Sequence, residues 1–128
     1  MTKVSVAIVA ALSGIVLALT AAPLAVAKDG DKLVRGTCTG PSTSKLKLSH
    51  ENGRIEVEFE VDQNRNGVRW DVAIFRNGNR VARMTKVTAG RSGSFEARTV
   101  TANGAGQDTF RARATRASGE ICTARASF

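Results

Sequence analysis

The sequence predicts an all-β protein, an antiparallel β-sandwich of about seven or eight strands preceded by a signal-peptide helix. Three observations predict it. Hydrophobic residues after Lys28 recur with period two, and no window carries a 3.6-residue stripe. Asn-Gly occurs four times, each time between two extended segments. The first 27 residues have the make-up of an export signal rather than of a folded layer.

In that leader, Met1-Thr2-Lys3 is a short cationic start, residues 4–19 carry no charge, and Ala25-Val26-Ala27 is a small-x-small cleavage site before Lys28. Pro23 disfavours a cut after Ala22, so the expected break follows Ala27. The domain organisation is then a signal peptide at 1–27 and one β-sandwich domain at 28–128, secreted and without stable membrane insertion after cleavage. The alternative is a retained anchor, because about 18 to 20 apolar residues can span a bilayer. Ser5, Ser13, Gly14, Thr20 and Pro23 dilute the run and weigh against it. No cysteine lies near the cut to carry a lipid.

The strands follow in order. Residues 33–38 and 45–49 open the domain, the second with Leu46 and Leu48 on one face. In 54–62, Ile55, Val57, Phe59 and Val61 alternate with Glu56, Glu58 and Glu60, the pattern of a strand with one buried and one wet face. Residues 68–76 turn Val68, Trp70, Val72 and Ile74 inward. Weaker strands are expected at 80–88 and 94–100. Residues 108–115 turn Phe110, Ala112 and Ala114 inward, and 120–128 closes the chain. The Asn-Gly pairs at 52–53, 66–67, 77–78 and 103–104 punctuate this series, since both residue types tolerate the positive φ of tight turns.

Cys38 and Cys122 are the only cysteines, and 84 positions separate them. In an exported chain such a pair reads as a disulfide rather than a metal site, which needs more ligands. Closing a loop of that length restricts the unfolded chain by about 4 to 5 kcal/mol at most.

The expected chemistry is sparse. Asp62, Asn64 and Asn66 in Asp62-Gln63-Asn64-Arg65-Asn66-Gly67 match the opening of a calcium loop, but the twelfth position is Ala73 and Arg65 and Arg69 add positive charge. A polar Asx-type turn is the simpler reading, so no metal and no cofactor is expected. His50 is the one histidine and sits in an expected turn, with no second histidine or nucleophile motif to make an enzyme. Glu56, Glu58 and Glu60 form an acidic rail, and two hairpin registers fit it. One sets Lys47 against Glu56 and Lys45 against Glu58; the other sets Lys47 against Glu58 and Lys45 against Glu60.

Charge is uneven. The full chain carries 19 Lys+Arg and 11 Asp+Glu, net +8, and arginine outnumbers lysine 13 to 6. Residues 28–62 hold 6 basic and 7 acidic side chains, whereas 63–128 hold 12 and 4. Arginine suits bidentate recognition of phosphate, sulfate or carboxylate. No specific nucleic-acid partner is expected, because Tyr is absent and no aromatic residue is foreseen among the basic residues to stack a base.

The C-terminal third carries Gly93-Ser94-Phe95, then Asp108-Thr109-Phe110-Arg111-Ala112-Arg113-Ala114, then Ser118-Gly119-Glu120-Ile121-Cys122. These segments resemble the last strands of bacterial immunoglobulin-like domains, and the chain from Lys28 is similar to small secreted actinobacterial proteins of uncharacterised function. The resemblance implies an immunoglobulin-like sandwich and an extracellular address, with no catalytic residue to carry over. It also implies a departure: antibody-type domains join two central strands by their disulfide, whereas Cys38 and Cys122 lie on the first and last strands.

The final hairpin can be paired by hand. Ala117-Ser118-Gly119 as a three-residue loop sets Ala114 against Cys122, Ala112 against Ala124 and Phe110 against Ala126 on the core face. On the other face Arg116 then meets Glu120, Arg113 meets Thr123 and Arg111 meets Arg125. Stability does not ask for two opposed arginines. Arg111, Arg113 and Arg125 are therefore the candidate contacts for a polyanion. The function expected is a secreted, non-enzymatic binding module whose basic sheet face meets an anionic envelope or extracellular polymer. The alternative is a structural or protein-interaction module, such as a small inhibitor presenting 99–107 to a protein partner.

Overall fold

In the computed structural model, residues 30–128 are described; the expected signal-peptide helix and the bond after Ala27 lie outside the described residues. Nine strands follow one another: β1 Lys32–Arg35, β2 Thr37–Cys38, β3 Thr43–Glu51, β4 Arg54–Asp62, β5 Arg69–Arg76, β6 Asn79–Val87, β7 Ser94–Ala102, β8 Thr109–Arg116 and β9 Ile121–Ser127. They form two antiparallel sheets, one of order β1-β3-β4-β7 and one of order β2-β9-β8-β5-β6. The result is a β-sandwich whose inner faces meet on Leu46, Ile55, Phe59, Trp70, Ile74 and Phe110, all buried. Each such side chain taken from water contributes about 1.5 to 3 kcal/mol.

The strand expected at 33–38 is two strands. Gly36 lies between them, its N–H donating to Ser44 O at 2.9 Å, and the chain passes there from the four-stranded to the five-stranded sheet. Only glycine fits this crossing, because a Cβ would collide with Ser44 Oγ and with the backbone oxygen of Thr123. The count is therefore nine rather than seven or eight. Cys38 stands opposite Cys122 on β9, and the two form the disulfide, closing the first and last strands of one sheet onto each other.

Two of the four Asn-Gly pairs make tight hairpins. Asn52 and Gly53 have φ of 48° and 75°, and Asn77 and Gly78 of 48° and 81°, the double positive φ of a type I′ turn. The first closes Glu51 against Arg54, which selects the register Lys47–Glu58 and Lys45–Glu60. Asn66-Gly67 and Asn103-Gly104 instead lie on connections that pass between the sheets. The segment 99–107, expected as one loop, is half strand: β7 runs on to Ala102.

Buried carboxylates hold two of the connections between the sheets, Asp108 the one from β7 to β8 and Glu120 the one from β2 to β3. Asp108 accepts from Arg76 Nη2 (2.9 Å), Asn77 Nδ2 (2.8 Å) and Gly104 N (3.2 Å). At the other end Glu120 accepts from Ser42 N (3.0 Å), Ser42 Oγ (2.8 Å) and Arg116 Nε (2.9 Å). The hydrogen bond from Asn77 leads in holding the Asp108 carboxyl below the usual carboxylate range. Burial opposes ionisation of Glu120, but the two Ser42 bonds and Arg116 outweigh it and lower its pKa as well.

Candidate binding face

Alternation sends every second residue of β5, β6, β8 and β9 to the outer face of the five-stranded sheet. The register then sorts them into rows. Arg125 of β9, Arg111 of β8, Phe75 of β5 and Arg80 of β6 share one row; Thr123, Arg113, Ala73 and Arg83 share the next. The expected pairing of the final hairpin holds, including Arg111 opposite Arg125 and Gly119 at φ 90°, but Arg116 and Glu120 do not join the outer face: Glu120 is buried and accepts from Arg116 Nε. Among the described residues, none of Arg80, Arg83, Arg111, Arg113 and Arg125 has an ion-pair partner; the acid in the adjoining row, Asp71, lies 3.9 Å from Arg69.

Arg80 reaches this face through a bulge. Ala82 pairs with Ile74 on the core side and Arg83 with Ala73 on the outer side, but Phe75 pairs with Arg80, leaving Val81 as the extra residue. Without the bulge Val81 would stand in that row. Sequence reasoning missed both Arg80 and Arg83. It missed Phe75 too, although inward Ile74 already implied that Phe75 points outward. The expectation that no aromatic residue lies among the basic ones is thus corrected: the Arg111 guanidinium sits 4.4 Å from the Phe75 ring centroid. A guanidinium held over a ring loses rotamer freedom before any ligand arrives.

Two shallow cavities flank Phe75. One of about 260 Å³ is lined by Ala73, Phe75, Arg80, Arg83 and Arg113. The other, about 220 Å³, is lined by Phe75, Thr109, Arg111 and Arg125.

The opposite sheet shows what compensated charge looks like. Lys47 Nζ lies 3.0 Å from Glu58, Lys45 Nζ 3.4 Å from Glu60, and Arg98 of β7 reaches Glu56, Glu58 and Glu96. Burial disfavours the Glu58 anion, yet Lys47 and Arg98 prevail and hold its pKa down. Glu56 moves the other way, raised by burial and by the hydrogen bond it shares with Glu58. The acidic rail is thus satisfied from both sides.

The remaining candidates are engaged in the fold. Asp62 Oδ1 accepts from Asn64 N at 3.1 Å, and Asn64 takes φ 56°, an Asx turn. The backbone oxygen of Arg65 in the same loop accepts from Thr88 Oγ1. Asn66 is exposed beside Gly67, whose N–H donates to Thr88 O. His50 stacks on Phe128 with ring centroids 4.5 Å apart. No protein-family model matches this chain, and a search of curated proteins returns no match either.

Proposed function

We propose that this protein is a secreted, non-enzymatic binding module that holds an anionic polymer of the cell envelope or its surroundings against the outer face of its five-stranded sheet. One observation carries the reading: five arginines share that face without an ion-pair partner among the described residues, while the facing sheet matches its acids with Lys45, Lys47 and Arg98. Opposed arginines such as Arg111 and Arg125 cost a few tenths to about 1 kcal/mol, and an anion between them reverses the sign.

The signal-like leader and the Cys38–Cys122 disulfide support an extracellular address, since disulfides persist in oxidising compartments. An immunoglobulin-like sandwich is supported by the strand order: β4 and β7 are neighbours in one sheet, and the strands that follow them, β5 and β8, are neighbours in the other. The disulfide within one sheet sets this domain apart from the antibody type.

The test is retention of the 28–128 chain on a sulfated or phosphorylated matrix against rising salt. Arg111→Ser, Arg113→Ser and Arg125→Ser together should weaken retention more than the same change at Arg54, Arg65 and Arg91, which are exposed elsewhere. Equal losses in the two triple variants would reduce the effect to net charge and overturn the reading.

A further inference from the structure

The arginines are arranged as two rails with an uncharged floor between them. Arg80 and Arg83 stand on β6, Arg111 and Arg113 on β8, and β5 between them presents Phe75 and Ala73 in the same rows. Neighbouring strands lie about 4.8 Å apart, so the rails are about 9 to 10 Å apart at the backbone. Successive arginines along β8 are about 7 Å apart. The bulge matters here, since it alone puts Arg80 level with Arg111.

We infer that this trough seats one chain of an acidic polysaccharide lying along β5, its carboxylate or sulfate groups bridged to both rails and its sugar rings resting on Ala73 and Phe75. The inference rests on the anion-binding reading above and names the class of polymer. Three features choose the class. A polymer of bare phosphates has no apolar ring face to use the floor, and the 260 Å³ cavity is floored by Ala73 and Phe75. A nucleic-acid strand binds through a series of aromatic faces on which successive bases stack, and the cavity offers one aromatic ring, Phe75, with Arg111 over one of its faces. Asp71 and Thr115 close the end of the same cavity, an acceptor and a hydroxyl suited to the hydroxyl groups that a sugar chain carries and an inorganic polyphosphate lacks.

Phe75 is a positioning residue in this arrangement, because it holds the Arg111 guanidinium and contributes no charge. Along the rails, each acidic group meets planar donors that bind carboxylate or sulfate in a bidentate manner.

The experiment measures binding of the 28–128 chain to polygalacturonate, dextran sulfate, inorganic polyphosphate and single-stranded DNA at one ionic strength. The two polysaccharides should bind at least about tenfold more tightly than the other two at equal charge concentration, a difference of about 1.4 kcal/mol. Ala73→Phe fills the floor without changing charge and should abolish that preference while leaving polyphosphate binding within about twofold. Arg80→Ser with Arg83→Ser should weaken polysaccharide binding as much as Arg111→Ser with Arg113→Ser, and both more than Arg54→Ser with Arg91→Ser. The rail variants decide the matter if Ala73→Phe does not fold. If the wild type binds all four polymers equally, or Ala73→Phe keeps the preference, the trough is overturned and general anion binding stands. If the wild type binds none of them at low salt, both readings fall.

Discussion

The carboxylate of Glu120 occupies the space above Gly40. A Cβ on Gly40 would collide with Glu120 Oε2, and Glu120 is not free to move aside because Ser42 and Arg116 hold both of its oxygens. Residues more than 75 positions apart in the chain thereby close one end of the sandwich. Gly40→Ala should cost about 1 to 3 kcal/mol, by overpacking and by loosening a buried hydrogen-bonded anion. Gly36→Ala should cost more, since one of the atoms its Cβ would meet is the backbone oxygen of Thr123. Denaturant midpoints of the two variants check both statements, and a smaller loss at Gly36 would show that the chain can cross between sheets by another path.

Acid should unfold the domain through Glu120 and Asp108. Both carboxyls have folded-state pKa values below their ordinary ones, so the stability they contribute is full above the unfolded values, near 4.5 and 3.8, and is lost as pH falls through the lower folded values. Glu56, raised in the folded state, works against them: it favours folding below its unfolded pKa and loses that contribution as pH rises. Thermal melts between pH 2 and 6 should show stability falling below about pH 4.5, with the fall reduced in Asp108→Asn. A melting temperature that is flat across this range would contradict the assignment.

The disulfide should matter more than the two-residue strand that carries it. Replacing Cys38 and Cys122 together by Ala removes an 84-residue closure and should lower stability by about 2 to 5 kcal/mol. The native chain should take up no alkylating reagent before reduction and two equivalents afterwards, as read by intact mass.

Gly53 tests the hairpin that pairs lysines with glutamates. Its φ is 75° and no atom lies near where a Cβ would be, so Gly53→Ala carries a purely conformational cost of about 1 kcal/mol. The same substitution at Gly104, whose φ is not positive, should instead disturb Arg76, whose Nη2 is 2.7 Å from the added Cβ. Comparing the melts of the two variants in low and high salt separates them: only the Gly104→Ala loss should vary with ionic strength.

By itself the sequence determined where most of the strands are and how β8 pairs with β9; for β3 and β4 it left two registers, of which the Asn52-Gly53 turn selects one. The period-two pattern at 54–62 coincides with β4, and the register of β8 with β9 follows from Gly119 and the need to keep Phe110, Ala112 and Ala114 buried. A local pattern suffices there, because a one-residue slip would turn the whole apolar set outward. The cysteine pair was legible for a different reason, there being no other partner for either thiol. Only the tertiary structure decided the rest. Whether 33–38 is one strand or two depends on Ser44 and Thr123 closing around Gly36. Whether Arg80 joins the arginine face depends on a bulge against β5. The sequence pairs Glu120 with Arg116, but the burial of Glu120, like that of Asp108, is decided only when Ser42 and Arg76 arrive from elsewhere in the chain. Side-chain alternation is a property of one strand, whereas sheet membership, bulges and the pairing of buried charge are set by contacts between residues distant in sequence.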